Sequence, residues 1–445
     1  MNFAKMLRSN GNADALVIDD TVFTYNDLAD TVDRWSEFYR REGVTDTSVV
    51  GLRGHYSADL CGAFISLYDL GAVIVPFSPD TPAEKLQSFT EVAQLSTLHD
   101  LGTSDITHLS ASTDSPHRFY EQLRTAHHAG LVLFSSGTTG RSKGSVLDLS
   151  KLVARYGDRR RARRTLAFMQ LDHIGGVNTI LHTLSLGGSV VTISGERTPD
   201  DVFSTVQSRG VDTLPVTPTF LTMSVVAGAV ERYDLSSLKL ITYGTEPMPV
   251  STLSRVTELL PDVTLKQTYG LSELGIIPTR SKDDGSLWMK LGTDGFEYDI
   301  RDDVLWVRAD TAMLGYLNAP NPFDEHGYFN TQDKVEVDGD YVRILGRDSD
   351  IINVGGEKVY PAEVESAILE VDDVREVIVC GRPSPIMGHV VVASVQAEAG
   401  TGGPELEQRI LHHCNSTLEP YKVPMLIEFI DGRYVSERFK KLRSL

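Results

Sequence analysis

The sequence predicts an α/β protein with a large N-terminal domain of parallel-type sheets covered by helices. That domain carries a small β-rich subdomain and is followed by a small α+β C-terminal domain. Three observations predict this. Over about the first 270 residues, short β-branched runs alternate with amphipathic stretches, the β-α-β rhythm that builds parallel sheets. From 281 to 346 the strand-like runs follow one another directly, joined by polar turns. The remaining residues, 347–445, carry the helix and strand pattern of a small unit, large enough for a core of its own. The expected organisation is therefore 1–346, with its β-rich part at about 281–346, and then 347–445. A chain of 445 residues is too long for one ordinary core.

Taken in order, ALVIDD and TVFTY read as a hairpin, and Asn26–Arg41 as a helix beginning at an asparagine cap. SVVGLRG, AVIVPF, GLVLFSS, TLAFMQ, SVVTIS, TLPVT, LKLITYG and TLKQTYG are strand-like. Between them, Ser57–Leu70, Gly176–Leu186, Asp200–Ser208 and Pro249–Leu259 have helical patterning. LWMKLG, FEYDIR, VLWVRA and YVRILG read as antiparallel strands with turns at Asp302-Asp303 and Asp338-Gly339-Asp340. A helix from Pro361, strands in VREVIVCG and HVVVASVQA, and a helix from Glu405 complete the C-terminal unit.

Composition excludes several classes. With 41% hydrophobic and 23% charged residues, the chain reads as a soluble globular protein. No apolar run approaches the ~18–20 residues of a membrane span, so no span is expected. MNFAKMLRSNGNADALVIDD lacks the apolar stretch and small-residue cleavage site of a secretory signal. The three cysteines, Cys61, Cys380 and Cys414, show neither metal-ligand nor redox spacing, which fits a reducing cytoplasm. A net charge of −19 argues against nucleic acid as the partner. One local exception is Arg155–Arg164, with six arginines in ten positions. It is open between a solvated face and a basic rim for a polyanion.

The sharpest motif is LVLFSSGTTGRSKG, Leu131–Gly144. A buried-type strand opens into Ser135, Ser136, Gly137, Thr138, Thr139 and Gly140, with Lys143 beyond. Small residues let backbone N–H groups turn towards phosphate oxygens, and the hydroxyls add donors. The spacing is not that of the P-loop, which ends in Gly-Lys-Ser/Thr.

This loop resembles the signature of the adenylate-forming superfamily: acyl- and aryl-CoA synthetases, luciferases and peptide-synthetase adenylation domains. Further blocks follow in the family's order. TYGTEPMP (Thr242–Pro249) resembles the adenine-binding turn, implying that Gly244, Thr245, Glu246 and Pro247 line the base. TYGLSE (Thr268–Glu273, including Gly270) resembles YGxTE, with Ser272 in place of the usual threonine. The resemblance implies that Tyr269 stacks on adenine, Ser272 meets phosphate and Glu273 helps to hold Mg2+. ADTAMLGYLN (Ala309–Asn318) resembles the block before the C-terminal lid, and Thr331–Glu365 resembles two more. They imply that Asp333 binds the ribose hydroxyls and Arg347 adds a nucleotide contact. Ser349 stands at the hinge of the lid, and Gly355, Gly356 and Lys358 border a pantetheine tunnel.

The implied reaction joins a carboxylic acid to ATP as an acyl-adenylate, releases pyrophosphate and transfers the acyl group to a thiol. CoA is the leading acceptor; a phosphopantetheine-bearing carrier protein, or an amine or other non-thiol nucleophile, remains open. In the acyl pocket, Leu171–Gly176 resembles the family's His-x-x-Gly segment, making His173 a gate candidate or a core histidine. Asp172 either meets a substrate amine or caps the following helix, and Asn178, Thr217 and Tyr243 are further lining candidates. Near the end, SERFKKLR resembles the family's T-x-x-G-K-x-x-R, which places Lys440 at the catalytic lysine, with Lys441 as the alternative, and Phe439 where glycine is usual.

Attack of one anion on another makes catalysis largely charge neutralisation and alignment. Lys440→Ala is therefore expected to lose roughly a hundred- to thousandfold in adenylate formation, while thioester formation from a synthetic adenylate persists. Near-normal pyrophosphate release by that variant would reject the assignment.

Overall fold

The computed structural model describes residues 2–103, 105–109, 115–135, 142–156, 162–193, 197–283 and 285–430. Packing divides the chain into two units, Met1–Pro215 with Gly270–Ile277 and Arg308–Gly327, and Val216–Tyr269 with Pro278–Val307 and Tyr328–Leu445. The mixed α/β architecture read from the sequence is present.

The first unit holds two sheets. In one, Gly130–Ser135, Val73–Phe77, Val49–Arg53 and Thr97–Asp100 run parallel. Antiparallel strands flank them, Asp105–His108 on one side and Lys143–Asp148 with Gly315–Tyr316 on the other. In the second, Thr213–Val216, Arg164–Leu166, Ser189–Thr192 and Asp14–Ile18 are parallel, with Thr21–Thr24 closing the expected hairpin. Burial explains the run-type sequences: Val73–Phe77 is buried at every position, as strands covered on both faces require.

The expected helices are present with boundaries shifted by a residue or two, Gly176–Leu186 being Ile174–Ser185 and Asp200–Ser208 being Pro199–Arg209. Tyr25–Arg41 is capped by Thr24 rather than Asn26: the Thr24 side chain accepts from Asp27 N, and Asp27 returns a bond to Thr24 N. The reciprocal pair is a capping box, which satisfies two otherwise orphaned donors. Ala58–Asp69, expected as Ser57–Leu70, is capped by Ser57, whose side chain accepts from Leu60 N. Part of the arginine run is structural, since Arg164 pairs with Asp14 and donates to the Arg209 carbonyl. Residues 157–161 lie outside the described ones. Cys61 is wholly buried, and burial pushes its thiol up to about 12, so it serves as a core residue.

In the second unit, Leu240–Tyr243 pairs in parallel with Thr264–Gln267. A six-stranded sheet runs Thr279–Ser281, Met289–Leu291, Tyr341–Arg347, Phe329–Asp338, Val304–Ala309, Phe296–Arg301. The Asp302-Asp303 turn has φ of 51° and 60°, values that aspartate tolerates in hairpin turns. Its Phe329–Asp338 strand is the long one that the sequence did not announce. Val374–Ser384 and Gly388–Ala397 form a hairpin in a further sheet, with Leu426–Phe429 alongside. Helices Pro361–Ile368 and Pro404–Thr417 contribute Val364, Ile368, Leu406 and Ile410 to that sheet's core. Ser251 Oγ donates to the Ser366 carbonyl at 3.4 Å, joining helix Val250–Leu259 to Pro361–Ile368. Among the described residues, no helix is long and apolar enough to cross a membrane.

Candidate active site

In the first unit the site grows from the strand Gly130–Ser135, which ends where the Ser/Thr/Gly motif begins. Ser136, Gly137, Thr138, Thr139 and Gly140 lie outside the described residues. The chain returns as Lys143–Asp148, with Lys143 opposite Ser135. This return strand was not expected from sequence. Asn318 ties the base of the loop: Gly144 N donates to its Oδ1 at 3.1 Å, and its Nδ2 donates to the Ser142 carbonyl at 2.9 Å.

Glu273 and Ser272 occupy the tight turn between strands Tyr269–Leu271 and Gly275–Ile277. The Tyr316 hydroxyl donates to Glu273 Oε1 at 2.8 Å, and Met313 N donates to the Glu273 carbonyl at 2.7 Å. Tyr316, only 9% exposed, is held on the short strand Gly315–Tyr316 against Ser145 and Val146. Lys143 Nζ lies 5.2 Å from the Tyr316 ring centroid, a cation–π contact. One aromatic ring thus links the carboxylate to the lysine that follows the motif. Tyr316 and Asn318 were missed as site residues, although the block containing them was noticed; their roles depend on tertiary contacts.

His173, not Asp172, caps the helix Ile174–Ser185: its Nδ1 accepts from Gly175 N at 3.0 Å. That bond requires Nδ1 to be unprotonated, leaving Nε2 as the ring's donor. A Cβ on Gly176 would lie 2.0 Å from the Gln170 carbonyl oxygen, so the helix start packs directly on backbone. Asn178 follows one turn later, half-buried.

The second unit gathers the expected nucleotide residues. The Tyr269 hydroxyl donates to Asp333 Oδ2 at 2.5 Å, with Tyr269 8% and Asp333 7% exposed. Arg347 Nε lies 3.7 Å from Asp333 Oδ1 and directly opposite it on the neighbouring strand. Burial raises the Tyr269 phenol well above its ordinary value, and the Asp333 charge raises it further. Asp333 N donates to Thr331 Oγ1 at 3.1 Å, fixing the carboxylate's backbone.

Gly244 lies against Thr268, where a Cβ would sit 2.4 Å from the Thr268 carbonyl oxygen. Thr245 has φ of 78°, an uncommon conformation for a β-branched residue. Glu246 Oε2 accepts from Thr219 Oγ1 at 2.5 Å, anchoring the turn before Pro247. Thr217 is wholly buried and caps the helix Pro218–Val226, while Tyr243 is 1% exposed. Ser349 sits in the exposed one-turn helix Asp348–Asp350, where its hydroxyl donates to Asp350 Oδ1 at 3.0 Å. Gly355 N donates to the Met387 carbonyl and Gly356 N to Asn353 Oδ1, with Lys358 exposed nearby on Glu357–Val359. Lys440 and Phe439 lie outside the described residues.

Comparison with known proteins places these features in context. A family model described as AMP-binding enzyme matches residues 3–317, and one described as AMP-binding enzyme C-terminal domain matches 363–436. A methyl-dioxo-octahydroindenyl propanoyl:CoA ligase of Rhodococcus jostii (strain RHA1) is 30% identical over 320 residues, covering 68% of this chain and 61% of that ligase. An indoleacetate–CoA ligase of Aromatoleum aromaticum is 27% identical, covering 92% of this chain and 89% of the relative. The crystal structure of the anthranilate CoA ligase AuaEII with anthranoyl-AMP superposes with a TM-score of 0.85 at 23% identity. That alignment covers 100% of this chain and 96% of the other.

Tyr269→Phe removes a buried bond to a charged acceptor and is expected to lower stability by about 1.5–3 kcal/mol. In the native state the Tyr269 phenol titrates above the unfolded value near 10. Its contribution is therefore complete below pH ~10 and is lost as pH rises beyond it. Urea denaturation across this range should show the gap between the wild type and Tyr269→Phe narrowing above pH ~10; a pH-independent gap would contradict the assignment.

Proposed function

We propose, for a chain that belongs to the AMP-binding enzyme family, that it activates a carboxylic acid with ATP and passes the acyl group to the thiol of CoA. In the first step a carboxylate oxygen bonds to the α-phosphorus of ATP, and the bond to pyrophosphate breaks. In the second, the thiol sulfur bonds to the acyl carbon, the thiol proton goes to solvent and AMP leaves.

The observation that carries this reading is the Glu273 carboxylate, fixed by Tyr316 and linked through that ring to Lys143 beside the Ser/Thr/Gly motif. A carboxylate so placed suits Mg2+, which characteristically uses one or two protein carboxylates and takes its other ligands from phosphate and water. A protein cage is not needed for such an ion. Glu273 would hold Mg2+, and the ion would offset charge on the triphosphate. Lys143 and the loop hydroxyls bind phosphate, Tyr269 and Gly244–Pro247 hold the base, and Asp333 with Arg347 receives the ribose. Lys440 supplies the remaining cation at the reacting phosphorus.

Residues 347–445 act as the lid, turning about Ser349, whose exposed position and short side chain suit a hinge. Gly356, where a Cβ would meet nothing, leaves room beside its backbone for the pantetheine arm, of CoA or of a carrier protein, while Gly355 packs against Met387. The reaction runs in the cytoplasm, a reading supported by three unpaired cysteines.

Acid-dependent ATP–pyrophosphate exchange across a panel of carboxylic acids tests the proposal. Exchange with at least one acid is expected, falling roughly a hundred- to thousandfold in Glu273→Gln. No exchange with any acid would reject the function; unchanged exchange in Glu273→Gln would reject the role of the carboxylate.

A further inference from the structure

One lysine of the six-stranded sheet stands where the strand pattern calls for a solvated residue. In Phe329–Asp338, Phe329, Thr331, Asp333 and Val335 share the buried face. On the other face Asn330 is half-buried and Gln332 and Glu336 are exposed, yet Lys334 between them is buried, its side chain only 7% exposed. A lysine normally keeps its ammonium in water, because withdrawing it is costly unless partners compensate. Two partners do so here. Lys334 Nζ donates to the Asp302 carbonyl in the hairpin turn, and it lies 3.6 Å from Asp348 Oδ1.

Asp348 opens the one-turn helix that holds Ser349, the proposed hinge. The pair next to it makes the arrangement specific. Asp333 and Arg347 stand opposite each other, with Arg347 Nε 3.7 Å from Asp333 Oδ1. Consecutive strand residues point to opposite faces. The chain entering the hinge is therefore gripped from both faces of the sheet, through Asp333 on one and Lys334 on the other. A register shift between Lys334 and Val335 turns the strand pair at this point. Gly346, opposite Lys334, takes φ of 138°, a conformation that side chains rarely adopt. Beyond Asp348 the grip ends: the Ser349 hydroxyl turns to Asp350 rather than to the sheet.

We propose that Lys334 is a positioning residue for the lid: its pair with Asp348 fixes the last residue on the body side of the hinge. The swing is then confined to the bonds that follow, at Ser349 and Asp350. A hinge bounded in this way returns the lid to the same orientations at every turnover. An unbounded one spreads the lid over orientations that bring no cation to the reacting phosphorus, so the productive fraction falls. The pair thus sets kcat, while the nucleotide's KM is left to Asp333 and its neighbours on the body. This inference rests on the acid-activating function and the moving lid proposed above.

The test reads amide hydrogen exchange of the peptide 346–351 in the full-length protein, alongside turnover of an accepted acid with ATP and CoA. Lys334→Met and Asp348→Asn should each speed exchange of that peptide about two- to fivefold and lower kcat by a similar factor, the range of one half-exposed ion pair. Exchange in the strand Val374–Ser384 should not change, which separates a loosened hinge from a loosened fold. KM for ATP should stay within about twofold of the wild type. The double variant should be no worse than either single one, as the two ends of one contact require. Asp348→Glu, which keeps a carboxylate at the exposed end of the pair, should remain close to the wild type. Unchanged hinge exchange in Asp348→Asn, additive losses in the double variant, or a KM for ATP that rises more than kcat falls would overturn the inference while leaving acid activation standing. No pyrophosphate exchange with any acid would instead bring down the underlying function, and this inference with it.

Discussion

The hydrogen bond from Tyr316 to Glu273 is the contact on which the chemistry proposed for the first unit depends. A carboxylate in a tight turn has many rotamers, and one phenol donor removes most of that freedom. Tyr316 can do this because its two-residue strand pairs with Lys143–Asp148, the strand that returns from the Ser/Thr/Gly motif. The return strand and the carboxylate are therefore registered by the same backbone ladder. Asn318, two residues on, bonds both Gly144 and Ser142, so the base of the loop is fixed by the segment that also fixes Glu273. For a reaction whose barrier is largely electrostatic, such prior alignment is where the protein's contribution lies.

The second unit solves a similar problem with burial. Asp333 keeps little solvent, which is costly for an anion unless donors compensate. Tyr269 provides one, its own backbone is tied through Thr331, and Arg347 stands opposite on the adjacent strand. The positive φ of Thr245 and the close approach of Gly244 to Thr268 show a turn held against local preference. Strain of this kind is kept where surrounding structure over-determines it, commonly at binding sites.

Much of this was legible in the sequence, for physical reasons. Parallel sheets demand β-branched runs, so the strands of the first unit left dense local signals. The Asp302-Asp303 turn was legible because few residues tolerate its backbone. Local competition between caps was harder to read: Thr24 displaces Asn26 because Asp27 completes a reciprocal pair, and His173 displaces Asp172 because its ring reaches Gly175 N. The strands Lys143–Asp148 and Phe329–Asp338 escaped because motif residues and charges interrupt their alternation. Tyr316 and Asn318 could not be found by spacing, since each acquires meaning only from residues far away in the chain.

The account's central claim is that the carboxylate itself attacks the α-phosphorus. It is tested most directly by supplying an accepted acid labelled with heavy oxygen in its carboxyl group, together with ATP and CoA, and weighing the products. The account predicts AMP carrying one heavy oxygen from the acid, with unlabelled pyrophosphate. Labelled inorganic phosphate accompanied by ADP would mean attack at the terminal phosphorus and would contradict it.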